Sequence, residues 1–388
     1  MKRATVVIGA NFGDEGKGLI TDYFAAQRRH PTVVRFNGGA QAGHTVVTPE
    51  GRRHVFHHFG AGTLAGGRTV LSRFFIANPI LWETENAALG NPPEFLFVDP
   101  RALVTTPYDM LINQRLEAQR QGARHGSCGV GINETVERGP TRYSTTVADL
   151  ANLRTFQAKL EAIQSHYYAD RLHQLGLEPD IPSALMFTRF MDVAQKFKES
   201  VQVVEDHRAI QLLPNPIFEG AQGLLLDEDH AFFPHVTRSK TGLRNVVTLA
   251  KEAGIDGLDI TYVTRAYMTR HGAGPFPTED ATLNYADDTN VPHDFQGTLR
   301  FGRLDIDLLA ASVRNDLKEA SDMSVTHGLA ITHLDQVPNG SAIVKAVAEA
   351  TGPSFLYTSH GPRRTDVQKV CENCRVAIQD GTRCSDCR

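Results

Sequence analysis

Two carboxylates stand inside a glycine loop near the start of the chain. In Gly13-Asp14-Glu15-Gly16-Lys17-Gly18 the glycines let backbone N–H groups converge on one point, and Lys17 adds a positive charge there. Such a loop suits phosphate. Asp14 and Glu15 would repel phosphate unless a Mg²⁺, or a proton to be taken from a substrate, intervenes. The bland alternative is a solvated acidic turn. The pattern is not a standard P-loop, which has glycine where Asn11 stands and Ser or Thr where Gly18 stands. A second glycine-rich stretch, Asn37 to Thr45, carries Gln41, Gly43 and His44. Small residues there let backbone approach a ligand closely, and the histidine adds an acid–base group.

A different chemistry closes the chain. Four of the five cysteines form Cys371-x₂-Cys374 and Cys384-x₂-Cys387, two pairs separated by nine residues. Two such pairs can place four thiolates around one Zn²⁺, giving a closed structural site in a short zinc-ribbon-like tail, residues 371–388. Cys128 stands apart and reads as packing.

These loops need elements to hold them. Ala4 to Ala10 is a short β-branched run expected as a buried strand, and a helix should begin near Lys17 or Gly18. Strands are expected at Thr32 to Phe36, from Pro216 into Gly223, at Thr261 to Met268 and at Ser324 to Thr332, with a helix from Pro107 to Gln121. Residues from about 145 to 204 are helical in period and read as an inserted helical layer. Alternating strands and helices predict one large α/β domain over residues 1–370, P-loop-like, with a central mostly parallel sheet and functional loops at strand ends.

The net charge of −4 without a basic block argues against a nucleic-acid partner. No apolar run approaches a membrane span, and Met1-Lys2-Arg3 leads straight into a strand rather than a leader. A soluble, cytoplasmic protein is expected.

Gly13–Gly18, Gln41-Ala42-Gly43-His44-Thr45, Phe218-Glu219-Gly220-Ala221-Gln222-Gly223, Thr269–Pro277 and Ser359-His360-Gly361-Pro362 resemble, in order, the motifs of adenylosuccinate synthetase. The resemblance spans residues 4 to about 366 and excludes the cysteine tail. It implies a ligase that joins L-aspartate to C6 of a 6-oxopurine nucleotide, using a nucleoside triphosphate and Mg²⁺, and a homodimer. By resemblance Asp14 removes the purine N1 proton, so that O6 attacks the γ-phosphate, and His44 is the general acid. Asp14 and the Gly43 carbonyl would hold Mg²⁺, while Gly16 and Lys17 steady the transferred phosphoryl group. Gly13, Glu15, Gly18 and Thr45 would complete the triphosphate loop, with Ser359 and Gly361 at the closing motif.

Other positions match motifs that hold the purine monophosphate: Gln41, Ser127, Cys128, Gln222, Thr237 and His271. Arg138 matches the arginine that reaches a partner subunit's phosphate, with Arg142 as rival. Thr298, Arg300 and Arg303 lie in a shortened aspartate loop, Gln296 to Arg303, where Arg300 is the expected carboxylate clamp. Where the family has Thr-Lys-Leu-Asp, this chain has Thr332-His333-Leu334-Asp335. Asp335 can accept from guanine N1–H and N2–H, which favours GTP as donor, with ATP or dATP open.

The short chain, Gln41 in place of asparagine, Ser127-Cys128 in place of Thr-Thr and the trimmed loop resemble the phage-type branch of 2-aminoadenylosuccinate synthases. That branch accepts dGMP and works in a host cytoplasm. IMP stays open as substrate. A nucleotide-binding regulator that has lost turnover is the reading from another class; retention of Asp14 and His44 speaks against it.

Overall fold

The computed structural model of the protein describes residues 2–90, 92, 96–120, 126–287, 289–290, 297–370 and 377–378. The four tail cysteines and Gln296 lie outside the described residues. An eleven-stranded sheet runs, in spatial order, Ala377–Ile378, Val367–Val370, Phe355–Ser359, Ser324–Thr332, Gly257–Arg265, Arg3–Gly9, Pro216–Gly223, Thr32–Arg35, Arg68–Leu71, Leu96–Val98 and Gln202–Val203. All pairings are parallel except those made by Val367–Val370.

The apolar first strand follows from its place at the middle of this sheet. Val6 and Ile8 point into one core, with the helices Leu243–Glu252 and Ile306–Leu317, while Val7 points into another, with Leu19, Ile20 and Phe24. A strand covered on both faces is apolar on both, so over Val6 to Ile8 alternation disappears. The helix Lys17–Ala26 begins where expected and is buried from Lys17 to Ala25. A Cβ on Gly18 would stand 2.7 Å from the Thr45 carbonyl. Close packing of this helix on the strand His44–Val47 therefore excludes the Ser or Thr of a P-loop at that position.

The expected strand from Thr261 to Met268 is split. The sheet strand starts earlier, at Gly257, because the Asp259 charge is met by Arg3 at 2.7 Å. It ends at Arg265, and Met268–Arg270 then pairs with Arg300–Gly302 in a separate ribbon. The helical layer comprises Leu153–Ala162, a π-turn at Ile163–Tyr167, Tyr168–Gln174 and Ala184–Ser200. Asn152 and Ser183 cap the first and last of these helices. Phe156, Phe190 and Phe197 pack with Trp82, Phe56 and Phe75 in a second core. This core backs the helices Pro79–Ala88 and Pro107–Arg120, which wall one side of the site.

Candidate active site

The loops after the central strands converge on a cavity of about 1230 Å³. The first glycine loop separates its two carboxylates. Gly13 and Gly16 have φ of 93° and 94°, and Asp14, which is not glycine, is held at φ 61°. A side chain in that region stays strained unless its surroundings fix it. Here the Arg265 Nε–H donates to the Asp14 carbonyl at 2.5 Å. The Asp14 carboxylate faces the cavity, with its Oδ2 3.6 Å from His271 Nε2.

Glu15 has the opposite fate. It is buried, its Oε1 accepts from the N–H groups of Asn11 at 3.1 Å and Gly13 at 2.8 Å, and its Oε2 pairs with Lys17 Nζ at 2.7 Å. Burial alone would raise its pKa, but the Lys17 charge and these hydrogen bonds outweigh it and hold the carboxylate below its ordinary range. Glu15 and Gly13 do not line the cavity; Gly16, Lys17 and Gly18 do. The expected phosphate repulsion thus narrows to Asp14, and Glu15 is an internal brace rather than a ligand.

His44 is tied from behind. Its Nδ1 lies 2.8 Å from Glu219 Oε1 and its Nε2 3.2 Å from the Ala221 carbonyl, so both ring nitrogens face acceptors. Burial pulls the imidazole below its ordinary range, and Glu219 pulls the other way. Glu219 also accepts from the Ala61 N–H at 3.2 Å and lies 3.9 Å from Arg35, which is fully buried. Sequence reasoning passed over Glu219 and Arg35. The available signal was an acid inside the apolar run Pro216-Ile217-Phe218-Glu219.

The expected monophosphate residues Gln41, Ser127, Cys128, Gln222, Thr237 and His271 all line this cavity. Gln41 Nε2 donates to Thr237 Oγ1 at 3.4 Å. Ser127 Oγ donates to Asn113 Oδ1 at 2.8 Å and accepts from the Gly129 N–H at 3.2 Å, so its hydroxyl shapes its own turn. Burial pushes the Cys128 thiol up to about 11, which leaves it protonated and inert at neutral pH. Thr45, His333, Asp335 and Gly361 line the cavity too. His333, at φ 58°, meets Thr332 Oγ1 at 2.8 Å, and burial lowers its pKa to about 3. Ser359 stays behind the wall and donates to the Gly361 carbonyl at 2.8 Å.

Four of the expected charged or polar side chains, those of Arg138, Thr298, Arg300 and Arg303, do not line the cavity in this structure. Arg138 is 1% exposed and bonds Asp109 through Nε and Nη2, both at 2.8 Å. It also donates to Val104 O, Tyr143 O and Thr145 Oγ1, at 2.9, 2.7 and 2.9 Å. That guanidinium is engaged within its own chain; Arg142 is the exposed one, over the Tyr143 ring. Arg300 pairs with Glu279 and donates to the carbonyls of Gly272 and Gly274 at 2.8 and 2.7 Å. Arg303 is 81% exposed beside Asp280, and Thr298 is exposed too. None of these three lines the cavity.

Arg270 does, and sequence reasoning did not single it out. Its guanidinium lies 4.4 Å from the Phe12 ring and 5.5 Å from that of Phe232. Nη2 donates to His235 O at 2.7 Å, while Nε and Nη1 are buried with no hydrogen-bond partner among the described residues. Among the described residues no carboxylate pairs with it, and burial lowers its pKa to about 10.

Comparisons with known proteins agree with this architecture. The adenylosuccinate synthetase family model matches residues 6–352. The adenylosuccinate synthetase of Hamiltonella defensa is 32% identical over 359 residues, covering 89% of this chain and 79% of that protein. That of Picrophilus torridus is 31% identical over 339 residues, covering 85% and 76%. The fold matches a fully ligated adenylosuccinate synthetase from Plasmodium falciparum with a TM-score of 0.76 at 19% identity, over 94% of this chain and 99% of that one. It also matches the cyanophage S-2L succinoaminodeoxyadenylate synthetase bound to dGMP and dATP, with a TM-score of 0.63 at 17% identity and 95% coverage of both chains. The chain that places Asp14, His44 and Lys17 around one cavity therefore belongs to the adenylosuccinate synthetase family of carbon–nitrogen ligases.

Proposed function

We propose that the protein joins L-aspartate to C6 of dGMP at the expense of a nucleoside triphosphate, giving the N6-succinyl adduct of 2-aminodeoxyadenylate, a nucleoside diphosphate and phosphate. The observation that carries the acid–base part is the Asp14 carboxylate, held in a strained backbone geometry yet facing the cavity. Asp14 takes the proton from purine N1, the electron pair moves to O6, and O6 attacks the γ-phosphorus. The amine of aspartate then adds at C6 and the 6-phosphate leaves. Lys17 stands against the phosphoryl group, and His44 supplies a proton on the leaving side once its ring turns from the Ala221 carbonyl. Positioning and charge neutralisation are the expected levers.

Mg²⁺ fits the donor set, since a carboxylate and a carbonyl are the hard oxygen ligands it prefers. Asp14 and the Gly43 carbonyl would hold it, and when bound it supplies charge neutralisation for the phosphates. GTP is the favoured donor because Asp335 is exposed at the cavity rim, where it can accept from guanine. With Arg300 engaged by Glu279, Arg270 is a guanidinium of the cavity wall that can meet an anionic group of aspartate or phosphate.

The choice of dGMP rests on the altered loops at Gln41, Ser127-Cys128 and Gln296 to Arg303. A substrate matrix tests it: IMP, dIMP, GMP and dGMP against GTP, ATP and dATP, with products read by mass. The expected result is highest kcat/KM for dGMP; an advantage of about tenfold for IMP would overturn the reading. The tail is proposed to bind one Zn²⁺ per chain through Cys371, Cys374, Cys384 and Cys387. Metal analysis of protein purified without chelator should find it, and truncation after Val370 should abolish it while turnover persists.

A further inference from the structure

The hairpin that follows the second glycine stretch turns an arginine toward the cavity. His44–Val47 pairs antiparallel with Arg53–Phe56, with Thr45 opposite Val55 and Val47 opposite Arg53. Side chains alternate along such strands, and cross-strand partners share a face. Thr45, Val47, Arg53 and Val55 therefore stand on one face, and all four line the cavity. Val46 and Phe56 stand on the other, in the second core. Arg53 is exposed, so a ligand in the cavity can reach it, and its guanidinium keeps its charge at any physiological pH. The hairpin lies against the start of the helix Lys17–Ala26, through the close approach of Gly18 to Thr45. Arg53 Nη2 donates to Thr289 Oγ1 at 2.9 Å, and Thr45 Oγ1 donates to the same oxygen at 3.3 Å. The Thr289 N–H donates to Asp287 Oδ1 at 3.0 Å, and Asp287 pairs with Arg265, which holds the Asp14 carbonyl. The arginine is thus anchored to the first glycine loop.

We propose that Arg53 binds the phosphate chain of the nucleoside triphosphate, together with the glycine loop and Lys17. This rests on the triphosphate-dependent reading above and deepens it. Other cations of the cavity already have carboxylate partners: Lys17 has Glu15, Arg265 has Asp287, Arg120 has Glu117 and Arg238 has Glu137. Arg270 has none among the described residues, but it is buried. Arg53 has none among the described residues either, and it is open to the cavity. A triphosphate brings several negative charges to the loop, and a guanidinium fork can meet two phosphate oxygens at once.

Calorimetry with GTP, ATP and dATP, each with Mg²⁺ and no other substrate, tests this without turnover. Arg53→Gln should weaken every triphosphate that the wild type binds by about 10- to 100-fold, the range for a charge-assisted hydrogen bond. The factor should be the same for each, since the phosphates are common to all three, and dGMP binding should be unchanged. Arg53→Lys keeps the charge without the fork and should lose less. Thr289→Val removes the anchor, leaves the charge and should weaken the triphosphates in the same direction by less, covering an Arg53 variant that folds poorly. Unchanged triphosphate affinity in Arg53→Gln and Thr289→Val overturns the assignment while leaving the ligase reading intact. An equal loss of dGMP binding, or a loss confined to one base, overturns it too, because a phosphate contact of the donor would produce neither. A wild-type protein that binds none of the three triphosphates overturns the ligase reading as well.

Discussion

Asp14→Asn should lower turnover by at least about 10²-fold while the purine monophosphate still binds within a few-fold of wild type. The substitution is nearly isosteric, so the cavity keeps its shape. It also suits the backbone, because asparagine tolerates the left-handed region as readily as aspartate and φ here is 61°. The Arg265 bond is made to the main-chain carbonyl and is untouched by the change. What disappears is a group that can receive the N1 proton. Phosphate release under single-turnover conditions reads the chemical step, and calorimetry with dGMP alone reads binding. Near-normal phosphate release from Asp14→Asn would remove Asp14 as the base. Loss of binding together with turnover would make it a structural residue.

Adjacent carboxylates with opposite roles show where a sequence stops being informative. Asp14 and Glu15 are both acids in one glycine loop, and residue type alone does not rank them. The backbone does, since the positive φ at Asp14 and Gly16 turns one side chain outward and the other under the loop. The buried strands and the glycine turns were legible because periodicity and chain flexibility are local properties. Gly18, which departs from the P-loop pattern, is explained by a contact to Thr45 that no local rule contains.

The partners of the arginines were illegible for the same reason. Arg138 is neutralised by Asp109, 29 positions away in sequence, and Arg300 by Glu279, 21 positions away. Whether a guanidinium is free depends on where the fold delivers a carboxylate, so Arg270, which receives none among the described residues, could not be told from the others beforehand. The expectation of a metal at the four tail cysteines rests on their spacing alone, and those cysteines lie outside the described residues.

Glu15→Ala should destabilise the protein by about 3–5 kcal/mol, the usual consequence of removing one partner of a buried ion pair. The change leaves the Lys17 ammonium without its 2.7 Å counterion and strands the N–H groups of Asn11 and Gly13. Water has little room to compensate. A Cβ on Gly9 would lie 2.3 Å from Glu15 Oε2, and one on Gly223 2.5 Å from Oε1, so glycines enclose the carboxylate closely. The pH dependence has a definite sign. The folded-state pKa of Glu15 is depressed, so its contribution is present above the ordinary carboxylate range and is lost as pH falls through the depressed value. The stability gap between wild type and Glu15→Ala should therefore be full at neutral pH and narrow in acid.

A double variant separates folding from function. Glu15→Gln with Lys17→Met removes the cation that would otherwise be buried alone, and its Tm should recover most of the loss seen in Glu15→Ala. On the role proposed for Lys17, turnover should not recover, because the charge that would face the transferred phosphoryl group is gone. Thermal unfolding and phosphate release measured on the same preparations decide the matter. If Glu15→Ala keeps the wild-type Tm at neutral pH, the carboxylate is not the brace of this loop. If the double variant regains turnover, Lys17 has no part in the phosphoryl step.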